Sequence, residues 1–131
     1  MSQYVPSIEQ LVTELFVRDI KRSTHFYCCL GFKLLRDAGD FVELIWEDHR
    51  LFLAELSALH GIELVELPPV PHFPLANIRV MVPNVDDCWR VANQIGARVT
   101  VPICDRYYGL RDFTIADPDG FGIRFATLLQ T

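Results

Sequence analysis

Two hydrophobic periods alternate along the chain in a fixed order, and the order occurs twice. Setting residues 12–32 against 77–97 without a gap brings Val17 onto Val82, Asp19 onto Asn84, Ile20 onto Val85, Leu30 onto Ile95 and Gly31 onto Gly96. In each copy an apolar run of strand character reaches Asp or Asn, and apolar residues then recur at helical spacing: Ile20, Phe26 and Leu30, then Val85, Trp89, Ala92 and Ile95. Asp19 and Asn84 (or Asp86) have side chains that accept from the free N–H groups of a helix start. Gly31 and Gly96 suit the left-handed position that ends a helix. Further strands are expected at 32–35, 41–46 and 51–56, and again at 98–101, 112–116 and 122–128. Turn-forming runs such as Asp37-Ala38-Gly39-Asp40 and Asp117-Pro118-Asp119-Gly120 separate them. The pattern predicts two tandem β-α-β-β-β units of about 8–57 and 75–128. Residues 58–74 form a linker whose end, with Pro68, Pro69, Pro71 and Pro74, is stiff and extended. At 131 residues the natural expectation is a single domain, 1–131, of class α+β.

Three short motifs, in order and spacing, carry a family resemblance. Phe16-Val17-Arg18-Asp19-Ile20, Phe26-Tyr27 and Leu30-Gly31-Phe32 resemble the opening of the vicinal-oxygen-chelate superfamily of glyoxalases, bleomycin-resistance proteins and extradiol dioxygenases. Asp117-Pro118-Asp119-Gly120 resembles its closing motif. Gly109-Leu110-Arg111-Asp112-Phe113 is similar to a segment of its bleomycin-resistance-like members. The resemblance spans nearly the whole chain. It implies a cupped, barrel-like mixed sheet with helices outside, a small-molecule site in the cup, and a homodimer.

Composition narrows the partners. A net charge of −5 argues against nucleic acid, which needs a basic stripe. No apolar run approaches the roughly 18 residues that cross a bilayer. Residues 1–6 lack a basic region followed by an apolar stretch, so a cytoplasmic location is expected. Cys28, Cys29, Cys88 and Cys104 form no C-x-x-C pair and read as reduced thiols. Ten of the twelve basic residues are Arg, which favours bidentate pairing with carboxylates or phosphates.

Metal enzymes of the superfamily place ligands on the first and last strands of each unit. The matching positions here are Val12, Glu55, Asn77 and Arg124. Valine cannot coordinate, and arginine stays protonated because its pKa is above about 12. Neither a metal nor another cofactor is therefore expected. His25, His49, His60 and His72 match no ligand spacing.

Strand alternation assigns a cup face to Val12, Glu14 and Phe16; to Leu51, Leu53 and Glu55; to Asn77, Arg79 and Met81; and to Gly122, Arg124 and Ala126. Tyr107 and Tyr108, with Arg111, stand on a loop expected at the pocket rim, where aromatic faces stack and hydroxyls bond. The expected ligand-binding set is Glu14, Phe16, Glu55, Asn77, Arg79, Tyr107, Tyr108, Arg111 and Arg124. Two readings of function stay open. One is a metal-independent protein that binds a small drug or an aromatic or charged metabolite. The alternative is a metal-dependent glyoxalase-like lyase, isomerase or dioxygenase with Glu55 as base and Arg79 or Arg124 as clamp. A non-catalytic interaction module is a third possibility. No catalytic residue is assigned.

Overall fold

The computed structural model describes residues 5–56 and 68–130. The chain divides into two compact units, Met1–Pro68 and Pro69–Thr131, parted inside the expected linker. Each unit is a four-stranded mixed sheet with a helix on one face, which makes the class α+β as the pattern predicts.

The first unit begins with a short helix, α1 (Ser7–Gln10), that the pattern did not announce. It continues through β1 (Thr13–Val17), α2 (Ile20–Leu30), β2 (Lys33–Asp37), β3 (Phe41–Trp46) and β4 (His49–Glu55). The second unit repeats the order as β5 (Asn77–Met81), α3 (Val85–Gln94), β6 (Arg98–Asp105), β7 (Leu110–Ala116) and β8 (Gly122–Leu128). The sheet orders are β1-β4-β3-β2 and β5-β8-β7-β6. The first and last strands of each unit run parallel, and the remaining pairs run antiparallel. The pseudo-repeat is thus a repeat of topology.

The helix boundaries follow from the predicted caps. Asp19 accepts from the Arg22 N–H at 3.1 Å, and Asn84 accepts from the Asp86 N–H at 3.1 Å. Gly31 ends α2 at φ 118°, where its N–H donates to the Cys28 carbonyl. A Cβ at Gly31 would stand 2.9 Å from the Trp46 ring. Gly31→Ala is therefore expected to cost about 1–3 kcal/mol from backbone strain and ring displacement. Urea unfolding measures this.

Each helix packs over an apolar sheet face. Leu15, Val17, Val42, Leu44, Leu51 and Leu53 are buried in the first unit, together with Tyr27 of α2. In the second, Phe113 packs against Phe125 on one side, and Trp89 of α3 meets Phe113 edge-on at 5.0 Å. Of the linker, residues 58–67 lie outside the described residues, and His60 with them. Its described end, 68–74, is tied down by Arg98, which donates to the His72 carbonyl at 2.7 Å.

Candidate functional site

The face opposite the helix is the one the helix leaves uncovered, and register decides which side chains stand on it. In the second unit β5 pairs with β8 as Asn77 with Gly122, Arg79 with Arg124 and Met81 with Ala126. Paired residues share a face. Asn77, Arg79 and Arg124 therefore stand together on the sheet's open face, as expected. Across the other edge of β8, Asp112 pairs with Ala126 and Thr114 with Arg124, which adds both to that face.

In the first unit Glu14 and Phe16 also lie opposite the buried Leu15 and Val17, and Phe16 is 46% exposed. Glu55 does not join them. It pairs with Val17, while Ala54 pairs with Phe16 and Phe52 with Glu14. The expected order on β4 is thus inverted: Leu51, Leu53 and Glu55 are on the helix side, and Phe52 and Ala54 are on the open side. The Glu55 carboxylate accepts from the Ile20 N–H at 3.2 Å, at the first turn of α2. This satisfies one of the donors a helix start leaves without an intrahelical partner.

The second unit uses the matching position in the same way. Thr127, one residue past Ala126, accepts from the Val85 N–H at 2.8 Å and donates to the Val82 carbonyl at 2.8 Å. Glu55→Ala and Thr127→Val should each cost about 1 kcal/mol of stability, the worth of a cap. Neither should change ligand affinity. Melting curves beside a binding titration check both halves of that expectation.

The charged centre of the second unit is a residue the motif reading passed over. Asp112, 2% exposed, accepts from Arg106 Nε at 2.7 Å through Oδ1. Through Oδ2 it accepts from Arg124 Nε at 3.0 Å and from the Tyr108 hydroxyl at 2.9 Å. Arg124 Nη2 closes the cluster by donating to the Tyr108 oxygen at 2.6 Å, and its guanidinium lies 5.4 Å from the centre of that ring. Burial alone would raise the Asp112 carboxyl. The hydrogen bonds from Arg106, Arg124 and Tyr108 outweigh it and hold the group below its ordinary value. The Tyr108 phenol moves the other way, raised by loss of hydration and by its bond to Asp112.

Two members of the expected set have other surroundings. Arg111 pairs with Thr127, on the helix side of β7. It donates to Asp86 at the start of α3 through Nη2 at 3.0 Å and Nε at 3.3 Å, and to Asp105 through Nη1 at 3.1 Å. Those bonds raise the Arg111 guanidinium and lower the Asp86 carboxyl. Arg111 is a tie between helix and hairpin and lies off the open face. Tyr107 is fully exposed and meets Tyr108 edge-on at 5.1 Å. Arg79 and Glu14 have no ion-pair partner among the described residues.

The donor set of either face does not fit a divalent metal. Both oxygens of Asp112 are committed to guanidinium or phenol donors, and the neighbouring Arg79 and Arg124 are cations. On the first sheet's open face, Glu43 is paired with Arg36. Among the described residues, no three of His, Cys, Asp and Glu come together. Glu55, bonded to the α2 backbone, is also withdrawn from the role of general base. Arg106 and Asp112 were missed because the cup face was assigned on β1, β4, β5 and β8 alone, and the strand that opens at Asp112 was not given a face. The available signal was a carboxylate in a strand, 110–116, whose alternate residues Leu110, Asp112, Thr114 and Ala116 share one face.

The sequence profile of the Glyoxalase/Bleomycin resistance protein/Dioxygenase superfamily matches residues 8–125. A bleomycin resistance protein of Geobacillus stearothermophilus is 29% identical, over 88% of this chain and 94% of that protein. The crystal structure of TioX from Micromonospora sp. ML1 superposes with a TM-score of 0.72 at 22% identity, covering 91% of this chain and 98% of that one. A glyoxalase/bleomycin resistance protein/dioxygenase family enzyme from Burkholderia phytofirmans PsJN gives 0.73 at 20% identity, covering 90% and 97%. The two structural likenesses speak to the fold.

Proposed function

We propose that this chain, which belongs to the glyoxalase/bleomycin resistance protein/dioxygenase superfamily, binds a small, partly aromatic or charged molecule without a metal and sequesters it rather than turning it over. The observation that supports this reading is the Asp112 cluster. Arg124 stands at a position where a metal enzyme of the superfamily would need a ligand, and the carboxylate beside it, Asp112, is committed to Arg106, Arg124 and Tyr108. Binding surfaces of this kind combine apolar and aromatic walls with a few placed polar groups. The open face of the second sheet supplies Asn77, Arg79, Arg124 and Tyr108, with Tyr107 beside them. The likeness to a bleomycin resistance protein makes a glycopeptide drug one candidate ligand.

Equilibrium titration of chelator-treated protein against a panel of glycopeptide drugs and aromatic acids tests the reading. Saturable binding without metal supports it. Stoichiometric zinc, nickel, iron or manganese in protein purified without chelator would replace it with a metal-dependent lyase, isomerase or dioxygenase. The protein is further expected to be a cytoplasmic homodimer, because unpaired strand edges call for cover. Sedimentation at micromolar concentration checks this, and a monomer of 15.0 kDa would count against it.

A further inference from the structure

Two arginines side by side on one sheet face need an explanation. Arg79 and Arg124 are paired residues on adjacent parallel strands, whose backbones run about 4.8 Å apart. Like charges in paired positions destabilise a sheet. Arg98 joins the same face through its pairing with Ala116. Against these cations the face of β5, β8 and β7 sets a single carboxylate, Asp112, and Arg106 shares it. The cluster therefore keeps an excess of positive charge, and Arg79, with no ion-pair partner among the described residues, adds to it. This stands in a chain whose net charge is −5, so it is not a general property of the surface.

The geometry of Arg124 adds a direction. Nε and Nη2 are taken by Asp112 and Tyr108. Those bonds, with the Tyr108 ring 5.4 Å away, fix the plane of the guanidinium. Nη1 has no hydrogen-bond acceptor among the described residues. A guanidinium fixed in this way loses little freedom when an anion arrives. Tyr107, fully exposed and edge-on to Tyr108, offers an aromatic surface next to this charge.

We propose that the open face of β5 and β8 is an oxyanion site, where Arg79 and Arg124 hold the carboxylate or phosphoryl group of a small aromatic acid. The Tyr107–Tyr108 pair contacts its ring. Asp112, Arg106 and Tyr108 act as positioning residues that set the plane of Arg124. The proposal rests on the small-molecule reading above and narrows it to one class of ligand.

Calorimetric titration of the intact chain with benzoate, phenyl phosphate, the neutral benzamide and the glycopeptide bleomycin tests it. At least one acid should bind about tenfold or more tightly than benzamide, and its affinity should fall as salt is raised. Which acid binds tells carboxylate from phosphoryl recognition. Arg79→Gln should weaken that acid about tenfold, leave benzamide unchanged, hold or slightly raise the melting temperature because it removes a like charge from the pair, and be partly rescued by Arg79→Lys. If acids and amide bind alike and Arg79→Gln changes nothing, the oxyanion site is wrong while small-molecule binding stands. The oxyanion site is equally wrong if only a glycopeptide binds and Arg79→Gln leaves it untouched. No binding by any of these compounds removes both readings.

Discussion

Asp112→Asn is expected to lower the stability of the protein by about 3–5 kcal/mol, the usual cost of removing one partner from a buried ion pair. The carboxylate is 2% exposed, and the side chains of Arg106 and Arg124 are only 22% and 23% exposed. Losing it leaves two half-buried cations with one neutral amide between them. The melting temperature should fall by roughly 10–20 °C. The pH dependence should change as well. The folded state holds the Asp112 carboxyl below its ordinary value. Its contribution is therefore fully present above the unfolded value of about 3.9 and is lost as pH falls through the folded value. Wild type should lose this stability below about pH 4, as the carboxyl takes up its proton. The variant lacks this component, so the two curves should converge in acid. Thermal unfolding of both proteins from pH 3 to 8 measures the size and the slope together.

Arg124→Glu should cost at least as much at neutral pH, about 4 kcal/mol, because it removes one partner of Asp112 and places a second carboxylate nearby. Arg106 still satisfies Oδ1 of Asp112, but Oδ2 then faces a like charge. Two carboxylates sharing one site raise the pKa of one of them. A raised folded pKa means that the folded state binds the proton more tightly, so this variant should gain stability as pH falls from 7 towards about 5. The slope is opposite to that of wild type. A parallel slope would mean that Arg124 and Asp112 are not coupled in solution.

The edge strands were legible because only one of their faces is covered. Along β1, Leu15 and Val17 are buried between exposed Glu14 and Phe16, and along β5 the exposed Asn77, Arg79 and Met81 alternate with half-buried residues. Strand β4 lies inside its sheet, and Leu51, Leu53 and Ala54 are all buried. Alternation vanishes when both faces are covered, so nothing in the run Leu-Phe-Leu-Ala-Glu shows which way Glu55 points. The family position for a ligand supplied the wrong face. Counting from the helix cap would have supplied the right one, since Glu55 and Thr127 both meet the first N–H of the helix in their own unit.

Arg111 and Asp112 illustrate a different limit. They are adjacent in a strand and so point to opposite faces, one to Asp86 and the other to Arg124. Placing Arg111 on a rim loop, ahead of a strand expected to begin at Asp112, put Arg111 in the site and left Asp112 without a face. The excess of Arg over Lys pointed to bidentate carboxylate pairing, and the partners of Asp86 and Asp112 show where that bias is used. What the sequence does not reveal is which carboxylate each guanidinium meets, because that depends on the register of β6, β7 and β8 and on where the helix start lies over them.

If the open face of the second sheet takes a small molecule without a metal, its own side chains must report the binding. The most direct measurement is a nuclear magnetic resonance titration of labelled, chelator-treated protein with benzoate, phenyl phosphate and bleomycin. It would follow the Arg79 and Arg124 side chains and the ring of Tyr108. Saturable shifts of these signals for at least one compound, with Glu55 and Arg111 unmoved, are the predicted result. Binding that appears only after a stoichiometric metal ion is restored, or that leaves Arg79, Arg124 and Tyr108 unshifted, would contradict it.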